Sequence, residues 1–287
     1  MDNLPADRGA IVLAGGRSSR MGTAKAWLDW HGATLVSRVT GIVGRAVAPG
    51  PVVVVAAPGQ ELPELAPGIE VVTDAREGRG PMMGLAAGLQ ALEGRAEIAY
   101  ASSTDVPLLH PAFVARVLNA LTGEHDAVLP EVGAHRQPLA AAYRTSLRGL
   151  VDRLIEDGMM RPGFLFEHCR TLQLDERALL ADGALARHDP QLASVANLNE
   201  RQDYEQALTL PAPDIGVRLF GTLATRHGGA ARQTVRAWSL GELAAALDLA
   251  LDEHVVAALN GDQITRDPRL PLVAGDAVSF MVADAGG

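Results

Sequence analysis

The residues best suited to chemistry stand together in one glycine-rich segment near the start of the chain. Paired glycines let backbone N–H groups approach an anion without a Cβ in the way, and basic side chains nearby add positive charge. The glycine spacing fits neither the Walker A phosphate loop nor the dinucleotide-binding fingerprint. The segment therefore predicts a phosphate site of another class, with an ordinary glycine turn as the alternative. The candidate donors are the backbone at Gly15 and Gly16 and the side chains of Ser18, Ser19, Arg20 and Lys25.

Lys25 is the only lysine of the chain, and the other 24 of the 25 basic residues are arginines. Drift of the composition toward arginine accounts for those 24 but not for the one lysine that remains. A lysine ammonium is a compact point charge on a flexible stem, whereas an arginine guanidinium is a wide planar fork. We therefore expect the Lys25 ammonium to contact the phosphates of a ligand at a position too narrow for an arginine guanidinium.

Apolar runs that alternate with helical patterns surround this segment and must position it. Such an alternation predicts a mostly parallel sheet with helices on both faces, which is a Rossmann-like α/β fold. Ligands of these sheets bind at the carboxyl ends of the strands, where Gly15, Gly16 and Asp105 would lie. The predicted elements are strands over 10–14, 52–57 and 98–102, and helices over 35–47, 82–92 and 111–121.

The pattern changes near residue 209, where two prolines fall within five residues. Ser239, followed three residues later by Glu242, predicts a capped helix over 240–249. The pair Asn260-Gly261 is typical of a hairpin turn. We therefore expect a second, small α+β domain with strands over 216–220, 233–237, 255–259 and 277–282. The predicted division is a larger domain, 1–209, a linker, 210–214, and a smaller domain, 215–287.

The composition excludes several classes of protein. A net charge of -9 argues against nonspecific binding to nucleic acid, and 48% hydrophobic residues predict a globular core. The single cysteine, Cys169, excludes an intrachain disulfide and a site with several thiolates. No apolar stretch reaches the roughly 20 residues of a membrane helix, and the first residues lack the pattern of a secretory signal. We expect a soluble, cytoplasmic protein.

The full glycine-rich segment resembles the signature loop of the nucleotidyltransferases that make molybdopterin dinucleotides, above all the molybdenum cofactor guanylyltransferases. Further segments resemble other motifs of that family, in the family's order. The chain departs from the family at Thr104, where a cysteine is usual, and over 52–57, which lacks an asparagine that often follows the second strand. The related cytidylyltransferases usually have Ala-Ala-Gly where this chain has Ala14-Gly15-Gly16. The matching segments are Asp74 with Gly80–Leu85, Thr104–Leu108, Gln137–Ala141 with Tyr143-Arg144, and Asn197–Asn199.

The resemblance implies that the terminal phosphate of molybdopterin attacks the α-phosphorus of GTP in the presence of Mg²⁺. A phosphate monoester has a second pKa near 6, so the attacking group is already charged at neutral pH and needs no general base. By resemblance, Lys25 and Arg20 would be catalytic, Asp105 would hold Mg²⁺, and Asn197 and Asn199 would contact molybdopterin, with a second metal ligand as the alternative role of Asn199. The residues implied to contact the nucleotide are Leu13, Ala14, Gly15, Gly16, Arg17, Lys25, Asp74, Gly80 and Asp105.

The smaller domain ends in Gly286-Gly287, which would form a thin and flexible tail. With its order of strands and helix, the domain resembles the ubiquitin-like β-grasp sulfur carriers, either the small subunit of molybdopterin synthase or the related carrier of the thiamine pathway. The resemblance implies that Gly287 carries sulfur as a thiocarboxylate. It also implies two partners, an E1-like activating enzyme and the large subunit of molybdopterin synthase. The chain would then be a bifunctional protein of molybdenum cofactor biosynthesis.

Two alternatives remain open. The chain could be a cytidylyltransferase or another nucleotidyltransferase of the same fold. It could also be a sulfur carrier whose N-terminal domain is only a binding scaffold, although the presence of both Lys25 and Asp105 argues against this. The sequence leaves undecided the oligomeric state, the residues that select guanine, and whether product passes directly between the domains.

Overall fold

The computed structural model describes residues 6–15, 24–74, 80–226 and 232–282, which form two compact units. Unit 1 comprises Met1–Leu28 and Thr34–Tyr204, and unit 2 comprises Asp29–Ala33 and Glu205–Gly287. The strands are β1 Ala6–Leu13, β2 Asp29–Trp30, β3 Ala33–Thr34, β4 Val52–Ala56, β5 Glu70–Thr73, β6 Ala96–Ser103, β7 Ala127–Val132, β8 His135–Arg136, β9 Ala140–Arg144, β10 Thr171–Leu174, β11 Asp214–Leu219, β12 Arg232–Arg236, β13 Val255–Leu259, β14 Gln263–Thr265 and β15 Ala277–Val282. The α-helices are α1 Leu35–Val47, α2 Pro81–Leu92, α3 Pro111–Ala120, α4 Arg148–Glu156, α5 Pro162–Glu167, α6 Glu176–Leu180, α7 Gly183–His188, α8 Arg201–Leu208, α9 Thr222–Arg226 and α10 Leu240–Ala246.

The main sheet of unit 1 has the strand order β10-β7-β9-β6-β1-β4-β5, and β8 pairs with β7. Neighbouring strands are parallel in the pairs β1–β4, β1–β6, β4–β5 and β7–β10. The prediction of an α/β fold with a mostly parallel sheet is confirmed. The exception is β9, which runs antiparallel to both β6 and β7 between them.

Both faces of this sheet are covered. Three successive residues of β1, Ala10, Ile11 and Val12, are each 0% exposed, although neighbouring side chains of a strand point to opposite faces. One face packs against α2, α4 and α5 in a single apolar cluster. Helix α2 comes closest at Gly88, where an added Cβ would lie only 2.4 Å from Cγ2 of Ile11.

Helix α1 begins and ends where the sequence predicts. The side chain of Thr34 accepts a hydrogen bond from the backbone N–H of Ser37 at 3.3 Å and caps the first turn. The apolar residues of the helix recur every three or four positions, at Leu35, Val39, Ile42 and Val43, and all of them are buried. None of the helices among the described residues is long and apolar enough to span a bilayer.

The sheet of unit 2 has the order β12-β11-β15-β13-β14, in which only β11 and β15 run parallel. Its core packs Leu240 and Leu243 of α10 against strand residues such as Ile215 and Phe280. Ser239 caps α10 by accepting a hydrogen bond from the N–H of Glu242, as the sequence predicts.

Two other features of unit 2 bear on the sequence predictions. Helix α10 ends three residues before the predicted residue 249, because Asp248 adopts a left-handed conformation, with φ of 52°. The predicted hairpin lies between β13 and β14, and Asn260 and Gly261 both have the positive φ of tight turns.

Candidate active site

A cleft of about 630 Å³ opens at the carboxyl ends of β1, β4 and β6 in unit 1. Seven residues implied to contact the nucleotide line it, although they come from five separate places along the chain. This follows from the topology, because parallel neighbouring strands all end at the same edge of the sheet. The seven residues are Leu13, Ala14, Gly15, Lys25, Asp74, Gly80 and Asp105.

Lys25 and Asp105 meet at this cleft although they are 80 positions apart. The Lys25 ammonium donates a hydrogen bond of 2.7 Å to Oδ2 of Asp105, and both side chains are mostly shielded from solvent. Lys25 opens a short 3-10 turn that is anchored by the fully buried Ala26. The other carboxylate oxygen, Oδ1 of Asp105, accepts a hydrogen bond of 2.5 Å from the Ser103 hydroxyl.

The backbone around Asp105 is also held in place. The Asp105 carbonyl accepts a hydrogen bond of 2.8 Å from the N–H of Leu198, which brings the segment Asn197–Asn199 beside it. The buried Arg38 of α1 donates from Nε to the Pro107 carbonyl at 2.5 Å. A rigid backbone fixes where the carboxylate points, which suits a metal ligand. The side chains of Asn197 and Asn199 are exposed and are not part of the cleft lining.

The first turn of α2 forms one wall of the cleft through Gly80, Pro81 and Gly84. Gly80 has φ of 89°, a conformation that favours glycine, and Pro81 occupies the first helical position. The N-terminus of a 12-residue helix presents unpaired backbone N–H groups and partial positive charge to the cleft. Such an end attracts phosphate groups.

Gln60 joins the ends of the two strands behind the cleft. Its side-chain amide donates to the Ala14 carbonyl at 3.0 Å and accepts from the N–H of Ala57 at 2.9 Å. The asparagine that often follows the second strand in the family is absent from 52–57, and Gln60 lies just beyond that range. An amide side chain is therefore present at the cleft, three positions further along and used here to brace β1 against β4.

Comparison with known proteins identifies the family. Residues 10–171 match the MobA-like NTP transferase domain. The chain belongs to this family. This MobA-like protein is therefore a nucleotidyltransferase. The probable molybdenum cofactor guanylyltransferase of Mycobacterium bovis (strain BCG / Pasteur 1173P2) is 36% identical over 188 residues, which are 63% of this chain and 91% of that protein.

Two further proteins are similar to the MobA-like chain. The probable molybdenum cofactor guanylyltransferase of Mycobacterium avium (strain 104) is 38% identical over 152 residues, which are 52% of this chain and 75% of that protein. The crystal structure of molybdopterin-guanine dinucleotide biosynthesis protein A from Archaeoglobus fulgidus has a TM-score of 0.53 at 21% identity, and the match covers 69% of this chain and 96% of that one. At this identity, the structural likeness shows the fold.

The structure of the MobA-like protein does not describe every predicted site residue. Gly16, Arg17 and Arg20 lie outside the described residues, as does Gly287 at the other end of the chain. Sequence reasoning in turn missed Ser103 and Gln60. The only signal for Ser103 was its place at the end of a buried strand, two residues before an aspartate that the family motif singles out.

The acidic side chains among the described lining residues of this cleft are oxygen donors, which suit hard divalent cations such as Mg²⁺ and Mn²⁺. Among the described lining residues, the formally charged side chains at neutral pH are Lys25, Asp74 and Asp105. No three His, Cys, Asp or Glu side chains converge on one point in the part of the chain that the structure describes. Mg²⁺ is commonly held by one or two carboxylates with waters and substrate phosphates, so Asp105 fits as its protein ligand.

Proposed function

We propose that this nucleotidyltransferase transfers GMP from GTP to molybdopterin and so forms molybdopterin guanine dinucleotide. The observation that carries the proposal is the meeting of the Lys25 ammonium and the Asp105 carboxylate in the cleft, 2.7 Å apart. A complex of a metal ion with a triphosphate needs both charges, because the ammonium would bind the phosphates and the carboxylate would bind the metal ion. The names of the two mycobacterial relatives support guanine as the base and the molybdenum cofactor as the acceptor.

In the proposed reaction, an oxygen of the terminal phosphate of molybdopterin attacks the α-phosphorus of GTP. A new P–O bond forms there, the bond from the α-phosphorus to the bridging oxygen breaks, and pyrophosphate leaves with the electron pair. No base is required because the attacking phosphate is already ionised at neutral pH. No histidine is among the described residues that line the cleft, which agrees with this scheme.

The chain's own residues would then lower the cost of bringing several negative charges together. Lys25 would donate to the triphosphate, and the N-terminus of α2 at Gly80 would add backbone N–H groups. Asp105 would hold Mg²⁺, which when bound neutralises charge on the transferring and leaving phosphates. By resemblance, Arg17 and Arg20 would add further positive charge, Asp74 would accept from the nucleoside, and Asn197 and Asn199 would contact molybdopterin.

The test is to incubate the full chain and Mg²⁺ with molybdopterin and each of GTP, CTP, ATP and UTP in turn. We expect pyrophosphate and a molybdopterin dinucleotide with GTP. Lys25→Ala should fold normally and lower turnover by about 100- to 1000-fold, the usual cost of removing one donor to a developing charge. Arg153→Ala is the matched control, because it also removes one positive charge but lies on α4, outside the cleft lining.

Two results would contradict the proposal in different ways. Preference for CTP would show that the protein is a cytidylyltransferase, and the proposed mechanism of nucleotidyl transfer would still hold. Turnover of Lys25→Ala close to that of Arg153→Ala would remove Lys25 from the mechanism.

We also propose that residues 215–287 form a β-grasp sulfur carrier. In support, residues 214–282 have the order β11, the short helix α9, β12, α10 and then three strands, with β11 and β15 parallel neighbours inside the sheet. An activating enzyme of the E1 type would adenylate the carboxylate of Gly287 with ATP and release pyrophosphate, and sulfur at the sulfide level from a donor would then displace AMP to leave a thiocarboxylate. The large subunit of molybdopterin synthase would receive that sulfur.

The carrier proposal requires Gly287 to bear the terminal carboxylate of the protein, which intact mass spectrometry measures. After incubation with ATP, an activating enzyme and a sulfur source, we expect the mass to rise by the replacement of one oxygen by sulfur. A chain with Gly287→Ala is the control. If the protein ends at Gly287 and its mass never changes, unit 2 is not a sulfur carrier.

A further inference from the structure

Both oxygens of the Asp105 carboxylate are already engaged in the cleft. Oδ2 accepts from the Lys25 ammonium at 2.7 Å, and Oδ1 accepts from the Ser103 hydroxyl at 2.5 Å. The side chains of Lys25 and Asp105 are only 22% and 16% exposed, so the ion pair is partly protected from screening by water. The carboxylate that is proposed to hold Mg²⁺ therefore has a cation of the protein on it.

An ammonium and a metal ion compete for the same oxygen. Each needs the negative charge of Oδ2 at short range, and the two cations would repel each other if both lay against one carboxylate. A triphosphate changes this balance, because it offers Lys25 a larger negative charge a short distance away. Lysine suits such a change of partner, since its ammonium sits on a flexible stem of four carbons.

We infer that Lys25 occupies the cation position on Asp105 until a triphosphate draws the ammonium away, so that metal and nucleotide enter the cleft together. This inference rests on the proposed function, because it takes Asp105 as the metal ligand and a triphosphate as the substrate. Its consequence is that the cleft holds a divalent cation weakly in the absence of nucleotide.

Ser103 has a different role when Oδ2 of Asp105 changes its partner from Lys25 to the metal ion. Its hydroxyl bonds the oxygen that Lys25 does not use, and a carboxylate oxygen can keep such a bond while the other oxygen changes its partner. The backbone N–H of Leu198 and the side chain of Arg38 donate to the carbonyls of Asp105 and Pro107 and hold the main chain, and Ser103 fixes the plane of the carboxylate. Ser103 is thus a positioning residue for the metal ligand.

The decisive measurement is the binding of Mn²⁺ alone to the full chain, followed by electron paramagnetic resonance of the free ion. We expect Lys25→Met to bind Mn²⁺ about tenfold or more tightly than the unaltered chain, because the competing charge is gone. The gain should vanish in the double variant Lys25→Met with Asp105→Asn, because the vacated carboxylate is then absent.

A control separates direct competition from a general change in charge. Arg161→Met also replaces one cation by methionine; Arg161 is exposed and follows Met160, whose carbonyl lies 3.8 Å from a Cβ built on Gly80 at the rim of the cleft. We expect this variant to bind Mn²⁺ as the unaltered chain does. An equal gain in Arg161→Met and Lys25→Met would overturn direct competition, as would no gain in Lys25→Met.

Ser103 is tested in the same assay and by kinetics. Ser103→Ala in the Lys25→Met background should lose part of the gain in Mn²⁺ affinity, and Ser103→Thr should restore it. In the transfer reaction, Ser103→Ala should raise the KM for the metal more than it lowers kcat, with an unchanged melting temperature. A fall in kcat alone, or a failure of threonine to rescue, would remove Ser103 from this role.

The inference and the proposed function fail separately. If the unaltered chain makes no dinucleotide from any nucleoside triphosphate, the proposed function is wrong, whatever the Mn²⁺ titrations show. If it makes the dinucleotide but Lys25→Met gains no affinity for Mn²⁺, the function stands and the competition on Asp105 is refuted.

Discussion

At the scale of single residues, two buried tyrosines on neighbouring strands differ in what their hydroxyl groups contact. Tyr143 on β9 donates its hydroxyl to the Pro138 carbonyl at 2.6 Å. Tyr100 on β6 is equally buried, and its hydroxyl has no hydrogen-bond partner among the described residues. Burial raises the pKa of both phenols well above the ordinary value, so both stay neutral at any pH at which the protein is used.

The two hydroxyl groups should therefore have opposite effects on stability. We expect Tyr100→Phe to raise the free energy of unfolding by about 1 kcal/mol, because it removes a buried group that makes no bond. Tyr143→Phe should lower it by about 1 kcal/mol, because it breaks a buried hydrogen bond. Denaturation in urea measures both changes. Equal losses in the two variants would show that Tyr100 has a partner after all.

A second residue-scale effect depends on pH. Asp126 accepts from the Arg170 backbone and guanidinium at 2.8 to 3.1 Å, and these bonds lower its pKa from 3.8 to about 2. A lowered pKa in the folded state stabilises the protein above the unfolded value. That stability is lost as the pH falls from about 4 toward 2.

We therefore expect Asp126→Asn to lower the melting temperature at pH 7, and the gap from the unaltered chain to close as the pH falls toward 2. Arg170→Met should give the same profile, because it removes the same ion pair from the other side. Melting curves between pH 2 and 7 test this. A gap that stays constant across the range would assign the loss to packing instead of charge.

At the scale of elements, the contact of α2 with β1 depends on the absence of a side chain. A Cβ at Gly88 would come within 3 Å of three side-chain atoms of Ile11, which is fully buried and has little room to move. On α4, by contrast, a Cβ at Gly149 would meet only the mobile end of Arg153, at 3.9 Å. Replacing Gly149 by alanine therefore tests helix propensity alone, whereas replacing Gly88 by alanine also tests packing against β1.

We expect Gly88→Ala to lower the free energy of unfolding by about 1 to 3 kcal/mol, because overpacking of the core outweighs the better helix propensity of alanine. Gly149→Ala should raise it by up to about 1 kcal/mol, because only the propensity changes. Chemical denaturation of both variants is the measurement. If Gly88→Ala proves at least as stable as the unaltered chain, α2 can move away from β1 without cost.

At the scale of the whole molecule, the sequence predicts the cleft because of one property of parallel sheets. Motifs that are far apart along the chain, at Gly15, Asp74 and Asp105, each follow a strand, and the strands end at one edge. The predicted bounds of α1 match because the cap at Thr34 and the apolar period are both local. Much of the fold of unit 1 and of its candidate site can therefore be predicted from the sequence.

Contacts between segments that lie far apart along the chain could not be predicted from the sequence. The antiparallel course of β9 between β6 and β7 depends on long-range contacts that leave no local pattern. Ser103 and Gln60 are common polar residues beside turns, and only their three-dimensional neighbours distinguish them. The grouping of Asp29–Ala33 with unit 2 is similar: Trp30 packs edge-on against Trp238, with ring centres 5.3 Å apart, across more than 200 positions of sequence.

The glycine at position 88 has a consequence beyond stability. It lies two turns down the same helix whose first turn forms a wall of the cleft, and it is not itself part of the cleft lining. A helix moves largely as one rigid body, so we expect a bulkier residue there to displace Gly80 and Pro81 as well. The width of the cleft would then change although no residue that lines it had been replaced. The core contact at position 88 and the wall of the cleft thus belong to one helix, so a substitution that changes the packing there also bears on the geometry of the cleft.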